Sequence, residues 1–540
     1  MSRIKSTVAR ANAKLPLQLA AALLAGSSLL ASLLGWFRDR QLNSLYYTTY
    51  PVGRDAYAVA FTIPDFMFII LVSGALSVTF IPVFTQRLAS GNKRSAWELS
   101  TSLLNFMALI TLLASILIII FAEPLVHYVV GPGLDESGRA LAISMMRVIA
   151  ISPFLFAIST VIASMQQAIG RFTFFALVPI LYNIGIVIGI TVFTNGINIF
   201  GWQVFEGGIM GVALGVVLGS VLQLLVATLG LVGMGFDYRF KIYWKNKGFR
   251  KVLTLLPPRS LDQSIDYVNG IVEVNLASRM LAGSVTAYQQ ATTLAYAPVN
   301  LIGVAISTAA FPKMAERLGE GRPDLFKSEL QAVLRVIIWL ALPATVIAFF
   351  GRGYLVNFIV NGGDVLMASI LGILAVTILF RSIYYISARS FYAQQDTRTP
   401  LYISLFTISL NISLAIWFTM GLGLGVYGLA WAAAIVSVIE VIVLFIMMSR
   451  RIKGLFDRPF IHAIARMASA TGFMAAVTYV MVILFPLSAT DQSFFASFPK
   501  FVLIGLVSGL AYLLFSHLLR LREVKPILDR AKKILLFRVR

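Results

Sequence analysis

Long apolar runs alternate with short polar stretches along nearly the whole chain. Lipid offers no partner to a backbone polar group, so an apolar run of about 20 residues predicts a membrane-spanning helix. The runs predict spans over roughly 15–37, 56–84, 99–122, 141–167, 172–194, 207–233, 253–281, 286–313, 329–350, 365–391, 399–420, 424–449, 460–485 and 499–519. The predicted fold is an all-α membrane protein of about 14 transmembrane helices. Prolines inside the runs (Pro64, Pro153, Pro179, Pro298 and Pro343) predict kinks, because each removes a helical hydrogen bond. Gly211, Gly215 and Gly219 form a small-xxx-small series that predicts close packing of the sixth span against a neighbour.

The pattern repeats. The segment FIPVFTQRLASG (80–91) recurs as AFPKMAERLGEG (310–321). QQAIGRFTFFALVPILYN (166–183) recurs as QQDTRTPLYISLFTISLN (394–411), and GIMGVALGVVLGSVLQ (208–223) recurs loosely as GVYGLAWAAAIVSVIE (425–440). Matches fall an even number of spans apart, so the two halves share an orientation. Such parallel six-helix repeats suit rocking about a central cavity. The sequence therefore divides into an N-terminal lobe 1–235, a basic linker 236–251, a C-terminal lobe 252–450 and a two-helix appendage with a basic tail, 451–540.

Composition agrees. Apolar residues make up 59% and charged residues 12% of the chain, and mean hydropathy is +0.86. A soluble domain carries about twice that charge. Cysteine is absent, and His127, His462 and His517 lie far apart in sequence, so neither thiolate chemistry nor a metal site is expected. The net charge of +21 is concentrated in alternate loops, which predicts an even span count with both termini cytoplasmic. The basic start (Arg3, Lys5, Arg10, Lys14) has the form of a signal peptide, but the apolar run continues to Phe37 and reads as the first span. The loop 236–251 interleaves aromatic and basic residues. Anchoring at an anionic leaflet explains it better than nucleic-acid binding.

The seventh span carries the densest chemistry. Arg259, Asp262, Asp266, Asn269 and Glu273 recur at steps of three and four, which places them on one helical face. Charged groups at membrane depth cost several kcal/mol unless paired or hydrated. The stripe therefore either lines a polar pathway or locks helices together through pairs such as Arg259–Asp262. Arg381, Asp65, Arg147 and Glu440 are further charges at membrane depth. Arg38, Asp39, Arg40, Arg54 and Asp55 flank the first outer loop. They read either as interfacial charges reaching for water or as a site for an anionic headgroup. Phosphate-loop, nucleophile-elbow and metalloprotease motifs are absent, so the chain is not read as an enzyme and no cofactor is expected. Energy is then expected from the membrane potential, an ion gradient such as a monovalent cation, or the substrate's own gradient.

LLGWFRDR (33–40), the run 55–84, the segment 283–316 and SFYAQQDTRTPLYIS (390–404) resemble the MurJ/MviN lipid II flippase family. The resemblance covers about the first 450 residues. It implies outward flipping of a lipid-linked peptidoglycan precursor across the bacterial cytoplasmic membrane, by a monomer whose partners are that substrate and membrane lipids. It also implies that arginines in the N-terminal half meet the pyrophosphate. Arg38 and Asp39 match the family's Arg-Asp pair after the first span, and Asp55 matches its acidic residue before the second. Elsewhere the pattern departs. Ser32 stands at a family arginine, Phe68 and Ile69 replace two more, Ser73 replaces a glutamate, and Thr292 and Thr293 stand where Asp-Arg is common. Those departures, with the acidic seventh span, leave three alternatives open: a flippase for another polyprenyl-linked glycan, a cation-coupled multidrug exporter and a membrane scaffold.

Overall fold

The computed structural model describes residues 12, 14, 16–73, 79–199, 202–488, 491–526 and 529, with the side chains of 17, 73, 199, 202 and 257–266 outside that description. Packing groups the chain into two units, Met1–Val285 and Thr286–Arg540. The first unit contains α1 (Leu17–Tyr46), α2 (Pro51–Phe68), α3 (Ile81–Ala89), α4 (Lys93–Pro124), α5 (Glu136–Ile149), α6 (Ser152–Ala168), α7 (Thr173–Thr191), α8 (Met210–Leu229) and α9 (Lys247–Ser278). A two-stranded antiparallel hairpin, β1 (Ile197–Ile199) and β2 (Trp202–Phe205), joins α7 to α8. Next come α10 (Ser284–Val299), α11 (Ala305–Gly319), α12 (Pro323–Phe350), α13 (Arg352–Asn357), α14 (Val365–Ala393), α15 (Arg398–Ile416), α16 (Val426–Arg451), α17 (Arg458–Leu484) and α18 (Phe494–Leu518).

Among the described residues, 13 helices are long and apolar enough to cross a membrane. The remaining predicted span, 253–281, corresponds to α9. At 32 residues α9 is long enough, but its charged stripe keeps it out of the apolar set. It begins at Lys247, earlier than the hydropathy suggests, because Asn246 caps it: Asn246 Oδ1 accepts the N–H groups of Gly248 at 2.9 Å and Phe249 at 3.2 Å. Phe249 and Val252 are fully buried in a core shared with Phe84, Leu99 and Leu103 of α3 and α4. The division by packing therefore falls at Val285/Thr286, later than the basic stretch 236–251 that divides the sequence.

Two predicted devices are visible in the backbone. The span Glu136–Ala168 breaks between α5 and α6, where Pro153 occupies the first turn of the new helix and the missing N–H costs nothing. The glycine series of α8 lies against α7: a Cβ on Gly185 would stand 2.2 Å from Gly219 Cα, and one on Gly189 would stand 2.6 Å from Gly215 Cα. A third device was not predicted. A π turn, Ile69–Ser73, follows α2, and another, Asn300–Val304, joins α10 to α11. Each lies just ahead of one copy of the 80–91/310–321 repeat, so among the described residues a π turn recurs at matching places in the two halves.

In the second unit α12 packs against α14 and α17. The last helix, α18, is tied to α12 by polar contacts. Trp339 Nε1 donates to Ser516 Oγ at 3.1 Å, and the Tyr512 hydroxyl donates to the Trp339 carbonyl at 2.8 Å.

Candidate functional site

The last turns of α1 bring Arg38, Asp39 and Asn43 toward the start of α2. Arg38 Nε donates to Asp39 Oδ1 at 2.9 Å, and Nη2 reaches the same oxygen at 2.8 Å. Arg38 Nη1 donates to Asn183 Oδ1 of α7 at 3.1 Å. The Asn183 amide donates in turn to the Pro179 carbonyl at 3.0 Å, which fixes its orientation. A guanidinium has five N–H donors. These contacts engage three of them, and the Arg38 and Asp39 side chains each keep 24% exposure. A partly accessible arginine with donors to spare can bind an anionic group bidentately.

Arg54 and Asp55 at the start of α2 are buried, at 4% and 2% exposure. Arg54 Nε donates to Asn43 Oδ1 at 3.0 Å, and its guanidinium lies 5.5 Å from the Tyr57 ring centroid. Asp55 Oδ2 accepts the Gly283 N–H at 2.7 Å, so it anchors the turn after α9. Tyr57, Phe61 and Asp65 follow at four-residue steps on α2. Asp65 is exposed and within electrostatic range of Arg38. About two helical turns back along α1, a cavity of about 560 Å³ is lined by Ser28, Ser32, Thr160, Phe175 and Pro179. Ser32, at a family arginine position, therefore contributes a hydroxyl to it.

Of the α9 stripe, Arg259, Asp262 and Asp266 lie outside the described side chains. Asn269 Nδ2 donates to Glu273 Oε1 at 2.9 Å, the i,i+4 contact expected on one face. Past the stripe, Asn275 Nδ2 donates to the Val129 carbonyl at 2.7 Å, and Gly133 N–H donates to Ser278 Oγ at 3.3 Å. A Cβ on Gly133 would stand 2.3 Å from Arg279 Cα, so glycine permits that approach.

Arg381 belongs to the second unit. Its Nη1 meets Glu440 Oε2 at 3.0 Å, and Glu440 Oε1 accepts the Thr407 hydroxyl at 3.1 Å. Glu440 is only 3% exposed. This ion pair links α14 to α16. The structure thus groups Arg38, Asp39, Arg54 and Asp55, places Asn269 and Glu273 on α9, and gives Arg381 a buried partner. Sequence reasoning missed Asn43, Asn183, Tyr57 and Gly283. One of these left a trace: Asn183 ends a repeated segment whose second copy ends at Asn411, a buried asparagine of α15.

A family model described as lipid II flippase MurJ matches residues 51–498. A probable lipid II flippase MurJ from Thermotoga maritima is 25% identical over 88% of this chain and 91% of its own length. The corresponding protein from Buchnera aphidicola subsp. Acyrthosiphon pisum is 26% identical over 71% of this chain and 75% of its own. Among solved structures, lipid II flippase MurJ in an inward closed conformation superposes with a TM-score of 0.73 at 24% identity, covering 92% of this chain and 98% of that one. An inward-facing multidrug resistance MATE family transporter gives 0.66 at 16% identity, over 79% and 96%. At those identities the two structures establish the fold.

Proposed function

The chain belongs to the MurJ family of lipid II flippases, and on that premise we propose that it flips the lipid-linked peptidoglycan precursor from the inner to the outer leaflet of the bacterial cytoplasmic membrane by alternating access. Arg38 carries this reading. Its guanidinium is oriented by Asp39 and Asn183 yet keeps donors and exposure for an anionic group. A pyrophosphate offers the oxygens that such a fork binds best. Asp39 and Asp55 together offset Arg38 and Arg54, so the site holds its arginines without a bound anion. The multidrug alternative rests on a shared fold at 16% identity and on an acidic stripe in α9.

We infer cytoplasmic termini from the alternation of loop charge, with α9 crossing the membrane to keep the span count even. Asp262, Asp266 and Glu273 are then the groups through which a monovalent cation or the membrane potential would couple to transport. Complementation of a bacterium depleted of its own lipid II flippase tests the function directly. The expected result is restored growth with lipid II appearing in the outer leaflet. Good expression with no outer-leaflet lipid II would overturn the proposal.

A further inference from the structure

Where the loop between α3 and α4 meets the chain entering α9, a cavity of about 660 Å³ is lined by Arg87, Lys241, Lys245 and Lys247, with Trp244 beside them. Its walls are fixed by hydrogen bonds. The segment 238–246 runs along the start of α4 and is held by three α4 side chains spaced seven and three residues apart, on one helical face. Asn105 Nδ2 donates to the carbonyls of Arg239 at 2.8 Å and Lys241 at 3.0 Å. Ser102 Oγ accepts the Tyr243 N–H at 2.8 Å. Ser95 Oγ accepts from Asn246 Nδ2 at 3.3 Å, and its carbonyl accepts from the same atom at 3.1 Å. Arg87 donates to Ser95 Oγ and lies over Gly248, where a Cβ would stand 2.5 Å from Arg87 Nε. A side chain at Gly248 would push the guanidinium out of the cavity wall.

The charge in this cavity is unbalanced. Among the described residues, none of Arg87, Lys241, Lys245 and Lys247 is within ion-pair distance of a carboxylate. Glu98, which also lines the cavity, is engaged by Arg94 at 3.2 Å. Four converging cations repel one another and favour an anion of high charge density, and a phosphate suits both the arginine fork and the lysine point charges. Position argues for a lipid source. The 32 residues of α4 span about 48 Å, well beyond an apolar core of about 30 Å, so its first turns stand in the headgroup zone. The aromatics of the same segment face outward: Phe240 is 93% exposed and Trp244 54%, as side chains seated among lipid headgroups are.

We propose that this cavity binds the phosphate headgroup of an anionic phospholipid. Its assignment to the cytoplasmic leaflet rests on the topology inferred above; the site itself does not. The full-length protein in detergent is titrated with phosphatidylglycerol and, separately, phosphatidylcholine, and bound lipid is counted by native mass spectrometry. Phosphatidylglycerol is expected to bind more tightly, and Lys241→Gln/Lys245→Gln/Lys247→Gln is expected to weaken it at least about tenfold while the thermal midpoint holds. A control triple, Lys327→Gln/Arg450→Gln/Lys453→Gln, removes equal charge elsewhere and is expected to leave the affinity unchanged. Equal phosphatidylglycerol binding by the wild type and the cavity triple overturns the proposal, as does an equal loss in the control. If glycerol phosphate binds in a cavity-dependent way and phosphatidylglycerol does not, the site belongs to a soluble phosphate ester and the lipid assignment is wrong. None of these readouts involves lipid II, so a negative result leaves the flippase proposal standing.

Discussion

Arg38 in the first unit and Arg381 in the second are each 24% exposed and each meet a carboxylate, yet the carboxylates they meet differ. Arg38 pairs with its own neighbour Asp39, shares Asn183 with α7, and stays as accessible as its partner. Arg381 reaches across to another helix and meets Glu440, which is buried and also holds the Thr407 hydroxyl. The first arrangement orients a cation and leaves it usable. The second spends its cation on joining helices. A repeated architecture therefore supports two arrangements of charge, and the one whose carboxylate stays accessible lies in the half that also has the glycine seam.

The largest expected effect tests the closed pair. Arg381→Ala strands the Glu440 charge and is expected to cost about 3 kcal/mol, the low end for a broken buried pair because Arg381 is itself partly accessible. Arg381→Met/Glu440→Leu is expected to return to within about 1 kcal/mol of the wild type by thermal unfolding. A single variant as stable as the wild type would show that the pair joins nothing. The converse experiment is Arg38→Gln. Losing a charged hydrogen-bonded contact worth about 1.5–3 kcal/mol lowers transport about 10–100-fold. The thermal midpoint is expected to hold, and a fall in stability with transport intact would erase the distinction between the two arginines.

The helix seams differ in the same direction. Gly215→Ala inserts a methyl where α7 and α8 touch, with an expected cost of about 1–3 kcal/mol. A neutral result would mean that the helices can part without penalty. The corresponding position in the second half, Ala432, already carries a methyl group.

The smallest effect concerns the joints that repeat QQ at 166 and 394. In the first half Arg171 donates to the carbonyls of Val232 at 3.2 Å and Gly233 at 2.8 Å. In the second, Asp396 accepts from the Thr399 hydroxyl at 2.6 Å and N–H at 3.0 Å, and meets Arg451 at 2.5 Å. The Thr399 hydrogen bonds, then Arg451, hold the Asp396 carboxyl below the usual carboxylate range. A depressed carboxylate stabilises fully above its unfolded value, about 3.9, and that contribution fades as pH falls through the lowered folded value. Hydrogen-exchange protection at 394–400, corrected for the intrinsic pH dependence of amide exchange, should therefore fall on acidification while protection at 166–172 does not. Asp396→Asn should remove the difference.

Hydropathy and the internal repeat determined the helical membrane fold, nearly every span and the close packing of α8. These are properties of periodicity and solvent, which a linear pattern records directly. The repeat also carried Asn183 to Asn411, although their meaning was not legible. What the tertiary structure alone decided was partnership. Arg38 and Asn183 are 145 positions apart, and Asp55 and Gly283 are 228 apart. No local period encodes such meetings, because they depend on how whole helices pack. The same holds for α9, a charged helix that the repeat assigns to the second half and whose buried Phe249 places it in the first. Whether a charge is spent on structure or kept for a ligand depends on burial and on the partner across the helix seam, and both arise only when the chain is folded.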